Sequence, residues 1–142
     1  MATPAHKLVL LDTCVVSYRY MQKQEFEQFR PFMAGAIPAI SFVTYGEALE
    51  GALEANWGEK KIGAYQAYLR TYLLIPADKE LAVSYAKVFS DCMRSGVDVR
   101  SSQNDIWIAA TAIKFGIPVL SNDGLFRRIK GLSVLPPLKK EV

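Results

Sequence analysis

Lys7-Leu8-Val9-Leu10-Leu11-Asp12 is the stretch that decides the fold. After the lysine the run is apolar, with a β-branched valine in its middle, and it closes on an acid. A short continuous apolar run of this kind reads as a strand buried on both faces, the habit of parallel sheets. Parallel strands need long crossovers, and helical patterns lie between the strand candidates along the chain. Residues 13 to 21 and 25 to 34 read as helices, the second with Phe26, Phe29 and Phe32 on one side. Ile37-Pro38-Ala39-Ile40-Ser41 is a second short strand, and Pro38 places its start at an edge or strand end.

A third helix is expected over Thr44 to Trp57, opening on the capping box Thr44-Tyr45-Gly46-Glu47. A fourth runs from about Lys60 to Tyr72, with Tyr65, Tyr68, Leu69 and Tyr72 as a core-facing stripe at helical spacing. Leu73-Leu74-Ile75 is a third strand. Asp78 caps a helix over 79 to 95, and Gly96 ends it. Another helix covers Gln103 to Phe115 and stops at Gly116. Ile117-Pro118-Val119-Leu120 is a strand, Ser121-Asn122-Asp123-Gly124 turns into a short helix, and Ser133-Val134-Leu135 is a final strand. Alternating strands and helices predict an α/β fold, a three-layer α/β/α sandwich around a mainly parallel sheet.

Composition narrows the possibilities. The chain has 142 residues, 51% hydrophobic and 22% charged, which suits one globular domain over 1–142. Cys14 and Cys92 are the sole cysteines, and no Cys/His spacing suggests zinc. The first apolar run is too short for a signal segment or a membrane span, so a cytoplasmic location is expected. Net charge is +3. Four acids holding metal would leave the remaining surface more positive than that total, which suits a phosphate backbone as ligand.

Those acids are Asp12, Glu47, Asp105 and Asp123. Each has a structural explanation. Asp12 can cap the helix behind it, Glu47 can close the capping box, Ser102 and Asp105 can form another, and Asp123 can serve a turn. Taken together they say more. In parallel sheets function gathers at the carboxyl ends of strands, where Asp12 and Asp123 both fall. Asp105 stands at the mouth of a helix that is apolar nearly all round, and a buried acid needs a partner. Crowded carboxylates raise one another's pKa and are relieved by Mg²⁺ or Mn²⁺. No rival catalytic set is present: His6 is the only histidine, and there is no phosphate-binding glycine loop or nucleophile-elbow serine.

These pieces together resemble PIN-domain ribonucleases, specifically the VapC-like toxins of type II toxin–antitoxin systems. The resemblance rests on Leu10-Leu11-Asp12-Thr13, on Ser41-Phe42-Val43-Thr44-Tyr45-Gly46-Glu47, on Asn104-Asp105-Ile106-Trp107-Ile108-Ala109-Ala110, and on Ile117 through Phe126. It implies a PIN fold, Mg²⁺ or Mn²⁺ as cofactor and endoribonuclease activity. It assigns the family's four acids to Asp12, Glu47, Asp105 and Asp123, with Thr13, Asn104, Ser121 and Asn122 as supporting polar neighbours. It also implies RNA as substrate, a homodimer, and a cognate antitoxin that packs in a hydrophobic groove and blocks the acids. Many relatives carry a further acid after the last motif aspartate. Here Gly124 and Leu125 stand there, which argues against a second tightly held metal.

Water-driven cleavage of this kind leaves a 5′-phosphate and a 3′-hydroxyl. Two other readings stay open. One is a catalytically silent RNA- or protein-binding domain of the same fold, which the retention of all four acids disfavours. The other is an aspartate-based phosphotransfer domain. Enzymes of that kind place a second acid two positions after the first, where this chain has Cys14.

Overall fold

A computed structural model describes residues 7–138; His6, Lys139 and Lys140 lie outside them. The central sheet has five parallel strands in the order β3-β2-β1-β4-β5. These are β1 Lys7–Leu11, β2 Ala36–Ser41, β3 Leu73–Ile75, β4 Val119–Leu120 and β5 Val134–Leu135. The helices are α1 Thr13–Tyr20, α2 Arg30–Met33, α3 Phe42–Glu54, α4 Glu59–Leu69, α5 Lys79–Arg94, α6 Gln103–Phe115 and α7 Gly124–Arg127. This is the predicted sandwich. None of the described helices is long and apolar enough to cross a membrane.

Alternation along the strands divides the core in two. Leu10, Ala39 and Val119 face one way and pack with Leu81 and Val88 of α5, Ile106, Ile108 and Ala109 of α6, and Phe126 of α7. Val9, Leu11, Ile40 and Leu120 face the other way, toward Val15 and Val16 of α1, Ala48 and Ala52 of α3, and Tyr65 and Leu69 of α4. Both faces of the sheet are covered, which is why β1 reads as an unbroken apolar run. Tyr65, Leu69 and Tyr72 of the tyrosine stripe are buried, as the spacing predicts.

Chain order reverses at β1, with β2 on one side and β4 on the other. The carboxyl ends of β1 and β4 therefore flank the crevice in which open α/β sheets bind ligands. The two strands are joined through only Leu10↔Val119 and Leu11↔Leu120.

Several sequence expectations need correction. The expected helix over 25–34 is instead a 3₁₀ turn, Gln24–Gln28, followed by the short α2. Pro31 lacks the N–H for a bond back to Glu27, so one helix cannot run through. The i, i+3 spacing of Phe26, Phe29 and Phe32 suits the tighter 3₁₀ repeat. The capping box at Thr44 is absent: α3 starts two residues earlier, and the Ser41 hydroxyl caps it by accepting from Val43 N at 3.2 Å. Nor does Ser102 cap α6 with its side chain, so its pairing with Asp105 in a capping box fails. Pro38 lies inside β2, opposite Val9. There β2 has a neighbour on one side alone, since β3 begins opposite Ala39, so a missing N–H is tolerated. The last strands and α4 are shorter than expected, with Trp57 and Tyr72 beyond the helices assigned to them.

Candidate active site

Asp12 closes β1 and is the N-cap of α1, and its residue is only 5% exposed. One carboxylate oxygen accepts from Thr13 N at 2.7 Å and the other from the Ser121 hydroxyl at 2.9 Å. Ser121, fully buried just beyond β4, also accepts from the backbone N–H of Asp123 at 3.0 Å. One hydroxyl thus ties the ends of β1 and β4 together and fixes the approach of two acids. Among the described residues no buried side-chain polar atom is left without a partner.

Glu47 enters from α3. With the helix beginning at Phe42, Glu47 falls in the second turn, half-buried and free of any capping duty. It accepts from the Thr13 hydroxyl at 2.7 Å and, at a long 3.4 Å, from the Asn104 amide. The Thr13 and Thr44 hydroxyls lie 3.0 Å apart. Thr13 has one proton, and the shorter, charge-assisted bond takes it, so Thr44 donates to Thr13. Buried Thr44 is a member of this network that sequence reading assigned to a helix cap; no local signal marks a contact across 31 residues.

Asp105 lies in the first turn of α6, half-buried. Asp123 is exposed and is the N-cap of α7, accepting from Leu125 N at 3.0 Å. The structural explanation for Asp12 as a cap is therefore correct as far as it goes, while Asp123, read as a turn residue, is also a helix cap. Asn122 is exposed and forms no side-chain hydrogen bond among the described residues.

Electrostatics ties these residues into one group. Burial pushes the Asp12 carboxyl up to about 6, against the bonds from Ser121 and Thr13, and Asp123 and Glu47 add to the rise. Burial also lifts Asp105 to about 6, with contributions from Asp12, Asp123 and Glu47. The neighbouring Cys14 thiol is raised by burial first, and then by all four carboxylates. Asp12 and Asp105 thus lie within electrostatic reach of each other and of Glu47 and Asp123, although the four come from both halves of the chain.

The four are near one another without being drawn into a cage. Among the described residues, no three carboxylate, thiol or imidazole groups are gathered closely enough to hold an ion as they stand. Asp12, Glu47 and Asp123 are each turned to donors of their own chain, and four facing anions repel. The donor set fits a hard divalent cation: it consists of oxygen, the neighbouring charges raise the proton affinity of Asp12 and Asp105, and a cation would relieve that repulsion.

Comparison with known proteins agrees with this picture. The family model described as PIN domain matches residues 9–132. A Mycobacterium tuberculosis protein named ribonuclease VapC4 is 30% identical over 102 residues, covering 72% of this chain and 78% of its own. The crystal structure of VapBC2 from Rickettsia felis bound to a promoter DNA fragment superposes with a TM-score of 0.74 at 18% identity, over 89% of this chain and 96% of that one. FitAcB from Neisseria gonorrhoeae gives a TM-score of 0.71 at 25% identity, over 89% and 95%. With the switch-point crevice, the acids around it and the sequence match spanning both, the chain belongs to the PIN domain family.

Proposed function

We propose that this chain is a Mg²⁺- or Mn²⁺-dependent endoribonuclease and the toxin of a toxin–antitoxin pair, held in the cytoplasm. The observation that supports this best is the approach of four acids to the carboxyl edge of the sheet, with Asp12 and Asp105 each feeling Glu47 and Asp123. Asp12, Glu47, Asp105 and Asp123 are the metal-holding and catalytic residues of the proposal, with Thr13, Asn104, Ser121 and Asn122 in support.

A bound divalent ion would supply Lewis-acid activation of water and charge stabilisation on the phosphoryl oxygens. The chain's own residues do the rest. Ser121 and the Thr13 N–H fix the Asp12 carboxylate, so its oxygens do not swing. Thr13, itself held by Thr44, orients Glu47. Asp105 has no hydrogen-bonding partner among the described residues, and its proton affinity near 6 suits a base that takes a proton from the attacking water at neutral pH. Water rather than the ribose 2′-hydroxyl attacks, so the products carry a 5′-phosphate and a 3′-hydroxyl.

Partners follow from the same reading. A relative of known structure is named as a toxin–antitoxin complex, from Klebsiella pneumoniae, and a cognate antitoxin and a homodimer are proposed here too. Half-buried Tyr20 and Trp57, with buried Tyr65 behind them, line a cavity of about 330 Å³ beside Glu47 and Thr13 that suits an apolar segment of such a partner. The test is cleavage of structured RNA with Mg²⁺ by the wild type, Asp12→Asn and Asp105→Asn. Both variants should be inactive, and chelator should silence the wild type. Full activity in the variants, or activity undiminished by chelator, defeats the proposal.

A further inference from the structure

Most of the described arginines are engaged within the chain. Arg30 pairs with Glu27, Arg100 with Asp98, Arg19 reaches the Tyr72 hydroxyl and Arg127 a backbone carbonyl. Lys114 bridges to Asp78, and Lys61 sits over the Trp57 ring at 4.0 Å. Arg70 and several lysines are also without such partners among the described residues, but Arg94, Arg128 and Lys130 stand together. They have no ion pair or side-chain hydrogen bond among the described residues, and all three line one cavity of about 340 Å³. Its other rim charge is Asp91, and its floor is the buried apolar trio Val88, Cys92 and Ile129.

The cavity lies at the acid end of the molecule. Helices α5 and α6 pack side by side and antiparallel: Ser84 donates to the Ala110 carbonyl, and Lys114 pairs with Asp78. That register sets Asp105 level with Val88, which lines the cavity, and puts Arg94 about a turn and a half further along α5. From the other side, α7 is flanked by Asp123 at its N-cap and Arg128 at its C-cap. Its four residues rise about 6 Å at 1.5 Å each. Asp105 and Asp123 thus lead by short rigid paths to the same cationic rim.

A local explanation covers only part of this. Arg94 at the end of α5 offsets that helix's dipole. Arg128 and Lys130 come from a different element, and no single dipole gathers all three. Guanidinium groups with free donor edges around a shallow, apolar-floored hollow match the anionic oxygens of a nucleic-acid backbone.

We propose that Arg94, Arg128 and Lys130 form a cradle for the backbone phosphates of the RNA strand, beside the scissile position and distinct from the acid cluster. This rests on the nuclease reading. The cradle reads no base; it positions the strand, sets its path over α7, and contributes a salt-dependent share of affinity.

The experiment measures RNA binding by fluorescence anisotropy across a salt series, with Ca²⁺ replacing Mg²⁺ to hold cleavage back. It uses a labelled single-stranded RNA that the wild type cuts. The test variant is Arg94→Gln with Arg128→Gln and Lys130→Gln. The control is Lys23→Gln with Lys60→Gln and Arg70→Gln, which changes net charge equally. Each lost phosphate contact removes about 0.7 from the slope of log affinity against log salt. The cradle variant should therefore lose about 2 in slope and tenfold or more in affinity near 0.1 M salt. Its KM should rise while kcat at saturating RNA holds, and its circular dichroism should match the wild type. Wild-type affinity and slope in the cradle variant, or an equal loss in the control, overturns the cradle while leaving the nuclease reading in place. Should the wild type itself neither bind nor cut RNA, the nuclease reading falls and the cradle with it.

Discussion

Replacing Asp12 by asparagine should make the metal-free protein more stable at neutral pH. Asp12 holds its proton more tightly when folded, at about 6, than at the ordinary value of 3.8. Folding therefore takes up a proton between these limits. Stability is fully present below pH 3.8 and falls as pH rises through 6. With about 1.4 kcal/mol per unit, the charged carboxylate costs the folded state about 3 kcal/mol at pH 7. Asparagine removes that cost and keeps the bond from Thr13 N. It reverses the polarity toward Ser121, whose hydroxyl already accepts from Asp123 N and would lose its acceptor, a loss of about 1 kcal/mol. The net gain is about 2 kcal/mol, which raises Tm by roughly 4–8 °C for a chain of this length. Near pH 4 native Asp12 is mostly protonated, and the gain should vanish. Thermal unfolding of both proteins in chelator, at pH 7 and pH 4, reads this directly. Adding Mg²⁺ at a hundred times its Kd contributes about 2.7 kcal/mol to the protein that binds it, closing the gap from the wild-type side. An Asp12→Asn protein no more stable than wild type at pH 7, or equally favoured at pH 4, refutes the burial argument.

Ser121→Ala should raise the Asp12 pKa further, since that hydroxyl lowers it. The acidic limb of the kcat/KM profile should move up by about one unit or less, as read from initial rates against pH. Ile106→Ala empties a fully buried site between α6 and the sheet, and chemical denaturation should report a loss of about 2–5 kcal/mol with little change in slope. Cys14 should alkylate slowly at neutral pH because burial and four carboxylates hold its thiol up. Asp105→Asn with Asp123→Asn should speed the reaction severalfold, as measured by mass spectrometry with iodoacetamide; an unchanged rate would place those acids out of reach of Cys14.

What the sequence made legible was local. β1 declared itself because both its faces are covered, and α6 because it is apolar nearly all round. Asp12 and Asp123 could be placed at strand ends from a few neighbouring residues. Contacts between remote segments were hidden. Ser41 and Thr44 are equally good caps on paper; what separates them is that buried Thr44 meets Thr13, a contact no window of sequence contains. The break at Pro31 was readable from its missing N–H, yet three phenylalanines at regular spacing masked it. Strand order was likewise out of reach, because β4, though readable as a strand, pairs with β1 through residues remote in sequence.

The Ser121–Asp12 bond closes a loop of 109 positions. At synthesis rates of about 5–20 residues per second, the two halves of that bond leave the ribosome roughly 5–20 s apart. Asp12 and Glu47 emerge early but stay inert until β4 slots in beside β1. A nascent copy therefore carries an incomplete acid cluster through most of its translation.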